Sequence, residues 1–211
     1  MRKRIRRKKV AGACLASPCT SFTTARNRTR GPIRSKCRPR GVTHYAWGEP
    51  LREVDRRALR VGNQCLDATL NILEDCVATD TPAVLEQPRN SYMWHDRRLR
   101  RVFKRGHGIF VDVDQCAFGR PWKKTNRLAF FCCQDADLGK LHTSRCTGRG
   151  GWCSYNKRYH VQLSGDPRVV QVAPAKQAQA YPVPLADAIV KALMSRHRSN
   201  RGHQAFQAST R

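Results

Sequence analysis

The chain has 211 residues and carries 41 Lys plus Arg against 15 Asp plus Glu, a net charge of +26. That length has room for one sizeable core. The longest apolar runs, Val10 to Ala16 and Leu128 to Cys133, fall far short of the ~20 residues a spanning helix needs, so no membrane association is expected.

Residues 1–9 read as a basic arm. No acid precedes Glu49, and 14 of the 41 basic residues lie in the first 40. Such a patch attracts phosphate polymers through counterion release, which makes nucleic acid, DNA first, the expected partner. A solvated tail or a nuclear-localisation run is the plainer alternative. The apolar stretch after the arm is too short and too poor in large aliphatics for a secretory signal. Cys14, Cys65, Cys76, Cys116, Cys132 and Cys133 sit inside apolar stretches, where a free thiol behaves as a small hydrophobe. A reducing compartment, nuclear or cytoplasmic, is therefore expected rather than secretion.

Val10 to Ser17 reads as a buried strand stopped by Pro18, and Thr20 to Pro50 as a long Arg/Gly/Pro-rich loop. Leu51 to Ala78 is the clearest helix. Its stripe runs through Val54, Ala58, Val61, Cys65, Ala68, Ile72 and Cys76, widened by Leu59, Leu66, Leu70 and Leu73, with Gly62 as a weak point. Ala83 to Glu86 is a second strand, Tyr92 to Phe103 a short basic helix, and Ile109 to Val113 and Arg127 to Cys133 two further strands. Residues 132–165 form an irregular Cys/His-containing insert, Ala178 to Met194 a final helix, and 196–211 a disordered tail. Strands alternating with helices predict an α/β layered domain over 10–195, with disordered basic termini.

Three segments carry chemistry. Ser17-Pro18-Cys19-Thr20-Ser21-Phe22-Thr23 follows a small-residue strand, and the carboxyl end of such a strand is where open α/β sheets bind ligands. Neighbouring amides and cations would favour the Cys19 thiolate, whereas an incidental buried cysteine is the plain alternative. Glu86 closes a second apolar strand in Val84-Leu85-Glu86-Gln87-Pro88. Asp114 to Phe130 reads as a strand, a Phe118-Gly119-Arg120-Pro121 turn, a cationic run and a returning strand.

In this order the segments resemble the later part of the cytosine-5 DNA methyltransferase family, in a divergent form like the methylase-like proteins of algal genomes and mobile elements. Pro18, Cys19, Phe22 and Thr23 match its Pro-Cys-Gln-x-Phe-Ser motif, with Thr20 in place of Gln. Glu86 matches its Glu-Asn-Val, while Gln87 and Pro88 depart. Phe118, Gly119 and Pro121 match its Tyr-Gly-x-Pro turn, Lys124 replaces an Arg, and Arg127 lies one place beyond a second Arg. The resemblance covers roughly residues 10–133. It implies a partial Rossmann-like methyltransferase layer lacking the first strands. Cys19 would be the nucleophile toward cytosine carbon 6, Glu86 the acid at ring nitrogen 3, and Lys124 or Arg127 the pocket cation. It implies S-adenosylmethionine as methyl donor, but the family's Phe-x-Gly-x-Gly-Gly loop is not found. A chain inactive alone is expected, with a separate chain that supplies the missing strands as a candidate partner. Arg26, Arg28, Arg30, Arg34, Lys36 and Lys123 are the candidate nucleic-acid contacts.

A second constellation, Cys133, Cys146, Cys153 and His160, with Cys132 and His142 as alternates, offers thiolates and an imidazole suited to tetrahedral zinc. It lacks a CxxC knuckle, so unrelated thiols remain the alternative. Two other functions stay open: a non-catalytic nucleic-acid-binding protein of a mobile element or virus, and a small zinc-stabilised interaction protein.

Overall fold

The computed structural model describes residues 1–24, 31–163, 178 and 180–195. It is an α/β architecture. Strands β1 (Ala13–Ala16), β2 (Ala83–Pro88), β3 (Ile109–Asp114) and β4 (Thr125–Phe131) form a mixed sheet in the order β1-β2-β4-β3. Helices α1 (Arg2–Arg6), α2 (Glu53–Ala78) and α3 (Arg97–Arg105) precede β4, and α4 spans 183–195. No described helix is long and apolar enough to cross a membrane. The chain divides into two compact units, 1–110 with 129–133, and 111–128 with 134–211, so β3 and β4 contribute to both.

In the first unit β1 and β2 run parallel, joined through α2, with Ala13 opposite Ala83 and Ala16 opposite Glu86. Ala13, Ala83 and Leu85 join Phe22, Leu66, Leu70, Leu73 and Phe131 in the main core. The α2 stripe is rotated from the sequence expectation. Leu59, Gly62, Leu66, Leu70, Leu73 and Cys76 are buried, whereas Val54 and Val61 remain 52% and 48% exposed. The larger leucines displace more apolar surface from water than the valines, and they set the phase.

Gly62 explains the rotation. A Cβ there would stand 2.3 Å from Ser21 Oγ and 2.7 Å from Arg34 Nη2, so the missing side chain lets the loop close on the helix. Among the described residues after Gly31, Ile33, Tyr45 and Leu51 pack with Leu59 of α2 in a small core.

The basic arm is also ordered, contrary to expectation. Ile5 is fully buried in the main core, and Arg2 and Arg6 both grip Asp75, at 2.6 and 2.9 Å. One apolar residue within the cationic run gives it a docking point, and one acid on α2 gives the i and i+4 arginines a partner. The expected tail 196–211 lies outside the described residues.

The helix expected over 92–103 is split. A 3-10 turn over Tyr92–His95 ends at Asp96, whose side chain accepts from the Arg98 and Leu99 amides and starts α3. An Asp in extended conformation is a better N-cap than a helix interior residue, so the helix begins there.

Candidate functional site

The first candidate lies at the carboxyl ends of β1 and β2. Cys19 follows β1 by three residues, and Glu86 is the register partner of Ala16 on the neighbouring strand. Cys19 is partly exposed. Its carbonyl accepts from the Phe22 and Thr23 amides at 2.8 and 2.9 Å, which closes the turn. Phe22 then plugs the main core and fixes where the turn sits. The Glu86 side chain is buried to 9% exposure. Parallel pairing puts it on the sheet face of Ala16 and Cys14, opposite the leucine core. On that face, partial desolvation and then the Glu86 charge hold the Cys14 thiol above its ordinary pKa. Gln87 adds a tie between the strand ends, donating from Nε2 to the Ser17 carbonyl. Among the described residues the buried Ser17 Oγ has no hydrogen-bond partner.

Beside the turn is a cavity of about 320 Å³ between Pro18, Thr20 and Ser21 and the α2 face of Val54, Arg57, Ala58 and Cys65. Val54, Ala58 and Cys65, expected to face the core, line it instead. Such a volume is within the range of small-ligand sites.

The candidate cations are mostly committed elsewhere. Arg34 is 1% exposed, and its guanidinium lies over the Phe22 ring at 3.8 Å. It donates to Ser21, Pro39 and Asn63. Burial, then the charge of Arg40, lowers its pKa to about 10. Arg34 is a structural brace, not the phosphate contact expected, because no donor of its fork is left facing water. Arg127 is paired with Asp112 at 2.7 and 3.0 Å, and Lys124 Nζ donates to the Ala178 carbonyl at 2.7 Å. Lys36 is exposed. Lys123 is exposed as well, and its ammonium reaches the Cys146 carbonyl at 2.9 Å. Arg26, Arg28 and Arg30 lie outside the described residues.

The second candidate, in the second unit, is a Cys/His cluster. Cys116, Cys146, Cys153 and His160 bring one ligand atom each to within 4.8 Å of one another. Cys146 Sγ lies 4.0 Å from Cys153 Sγ and 3.7 Å from His160 Nε2. Zn–S and Zn–N bonds of about 2.3 and 2.0 Å at tetrahedral angles require about 3.8 and 3.5 Å. The donor set and spacing therefore fit a four-coordinate metal.

The expected fourth ligand was Cys133; the gathered residue is Cys116. Cys133 follows β4 and directs its Sγ to the Phe131 carbonyl at 3.4 Å. Of the alternates, His142 pairs with Asp135, and the Cys132 amide donates to the Gly106 carbonyl. Cys116 is presented by the 3-10 turn Gln115–Phe118, which ends in a left-handed Gly119. The apolar run around Cys116 made it read as core. The even Cys-x6-Cys-x6-His spacing was the usable signal, and it does not say which distant segment completes the set.

Supporting bonds hold the ligands. The buried Asp114 carboxylate accepts from the Cys146 amide at 2.8 Å. The Ser154 and Asn156 amides donate to Cys146 Sγ and Cys153 Sγ at 3.4 and 3.3 Å. Burial alone would raise the Cys146 thiol, but the Ser154 hydroxyl and amide bonds bring it down to about 6. Cys116 is raised by burial first and by its sulfur neighbours next. No disulfide joins any of the ten cysteines.

No known protein family matches the chain, and neither a curated protein nor a solved structure matches it.

Proposed function

We infer that the protein is a nucleic-acid-binding, cytosine-5 methyltransferase-like protein of a nuclear or cytoplasmic compartment, in which Cys19 and Glu86 handle one cytosine ring. The observation that carries this reading is the parallel register of β1 and β2, which sets Glu86 beside Ala16 just ahead of the Cys19 turn. On this reading the sheet is a partial Rossmann-like layer. The unpartnered Ser17 Oγ would meet a ligand's polar group, and the +26 charge supplies phosphate attraction.

The chemistry concerns the base alone. The Cys19 thiol loses its proton to solvent and the thiolate adds to carbon 6 of cytosine, forming a carbon–sulfur bond. The carbon 5–carbon 6 π pair moves toward carbon 5 while Glu86 shares a proton with ring nitrogen 3. Carbon 5 takes a proton from water. Loss of its original hydrogen as a proton and expulsion of the thiolate then restore the ring.

S-adenosylmethionine would supply a methyl group at carbon 5. However, the chain's densest glycine cluster, Gly148 to Gly151, wraps the Cys/His cluster instead of a strand end. The described residues do not fit that cofactor. At Cys116, Cys146, Cys153 and His160 a Zn²⁺ would act structurally, with all four positions filled by protein.

Exchange of the carbon 5 hydrogen of cytosine in a single strand tests the reading. Wild-type protein should release tritium from a 5-tritiated strand without any cofactor, and Cys19→Ser should not. A wild-type rate equal to that of buffer would reject it. The alternative, a non-catalytic nucleic-acid binder, is favoured by the commitment of Arg127 to Asp112. It expects binding without exchange.

A further inference from the structure

We propose that residues 149–159 form a stacking platform for single-stranded nucleic acid, held rigid by the metal cluster. The inference rests on the nucleic-acid half of the function proposed above and is independent of Cys19 and Glu86.

The platform is a small hairpin. Trp152 and Tyr159 form an antiparallel bridge, with the Cys153 amide donating to the Arg158 carbonyl and the His160 amide to the Gly151 carbonyl, both at 2.8 Å. Side chains alternate across an extended ribbon. Cys153 and His160 therefore turn to the cluster, while their neighbours Trp152 and Tyr159 turn away from it. Trp152 is 43% exposed and Tyr159 72% exposed. Their rings meet edge to face, with centroids 5.3 Å apart at 86°. Large aromatics this open to water lose apolar contact that a buried position would supply, and a flat partner would restore it.

The charge around the rings selects the partner. Residues 138–165 contain no acid and hold Lys140, Arg145, Arg149, Lys157 and Arg158. Arg149, Lys157 and Arg158 are exposed. Arg145 is turned instead to Asp112 and Asp114. Exposed rings among unopposed cations match a polyanion with free flat faces. Single strands offer such faces, whereas in a duplex the bases are already stacked on one another. A cavity of about 570 Å³ beside the hairpin, walled by Gly119, Pro121, Asn156, Arg158 and Tyr159, gives a displaced base somewhere to lie. The four ligands explain how so short and glycine-rich a ribbon can hold two rings in place.

The test uses the zinc-loaded full chain with a fluorescein-labelled dT20 strand and a labelled 20-base-pair duplex, read by anisotropy. Trp152→Ala with Tyr159→Ala should weaken strand binding by at least roughly 5- to 150-fold, the range for loss of one stacked base. Duplex binding should change less than twofold. Trp152→Phe with Tyr159→Phe keeps a ring at each position and should retain strand affinity within about threefold. Strand affinity unchanged in the alanine pair, an equal loss for strand and duplex, or an equal loss in the phenylalanine pair would each overturn the platform. If the wild-type chain binds neither strand nor duplex, the nucleic-acid reading falls with it. Binding that is unaffected by the alanine pair rejects the platform alone.

Discussion

Cys146 Sγ and His160 Nε2 lie 3.7 Å apart, a separation suited to two ligands of one tetrahedral zinc. With Cys116 and Cys153 they form a donor set drawn from the turn after β3 and from the 146–160 loop. A metal held by these four residues would take the place of a core for the loop.

Cys116→Ser should abolish stoichiometric zinc, and Cys133→Ser should retain it. Atomic emission on protein purified without chelator reads the difference. Zinc retained by Cys116→Ser and lost by Cys133→Ser would restore the ligand set expected from spacing. Chelation of the wild-type chain should lower the melting temperature, since binding free energy at such a site is folding free energy.

Gly62→Ala should destabilise the first unit by about 1–3 kcal/mol, the usual range for forcing extra volume into a packed site. The added methyl would meet Ser21 Oγ and the Arg34 guanidinium at less than 3 Å. The general preference of helices for Ala over Gly acts the other way and is smaller. A urea melt with an unchanged midpoint would reject the close approach of loop and helix.

Arg34→Gln should likewise lower stability, because it leaves the carbonyls of Ser21 and Pro39 without their donor. It should leave the slope of log affinity against log salt for DNA unchanged. Replacing the exposed Arg149, Lys157 and Arg158 together with Ala should flatten that slope, one increment per lost phosphate contact. A flattened slope in Arg34→Gln would mean that its guanidinium reaches phosphate after all.

Acid should weaken the first unit through α2. Hydrogen bonds from Arg2 and Arg6 hold the Asp75 carboxyl below its ordinary pKa, and Arg40 and Arg98 do the same for Asp67 and Glu74. A depressed folded pKa gives stability that is complete above the unfolded value of about 4 and is lost as pH falls through the folded one. Melting temperature should therefore fall below about pH 4. Asp75→Asn should start lower at pH 7 and fall less. An identical pH profile in the variant would show that the α1 clasp contributes nothing.

Some of this was legible in the chain and some was not, for physical reasons. Helix α2 announces itself because the 3.6-residue repeat persists over seven turns. Its inward face does not, because valine and leucine stripes run side by side, and burial of the leucines together with the Gly62 approach to Ser21 decides between them. The strand carrying Glu86 was visible as an apolar run, but its pairing with β1 is a long-range choice that no local pattern encodes. Ile5 was hidden by the cations around it, and its fit into the core is a tertiary fact. Cys116 was hidden by apolar neighbours in the same way. Arg34 shows the converse: an arginine in an Arg-rich loop reads as a phosphate contact until its partners Ser21, Pro39 and Asn63 are known.

On the proposed function, Cys19 is the residue that bonds to a cytosine ring. A single strand containing one 5-azacytosine tests it most directly, since the ring nitrogen at position 5 makes carbon 6 electron-poor and lets the thiolate adduct accumulate without methyl transfer. The expected result is a 1:1 covalent complex that survives denaturation, with peptide fragmentation placing the bond on Cys19. Cys19→Ser should give no complex, and Glu86→Gln a strongly reduced yield. Absence of any adduct in the wild-type chain, or a bond mapped to Cys14 in β1, would overturn that assignment.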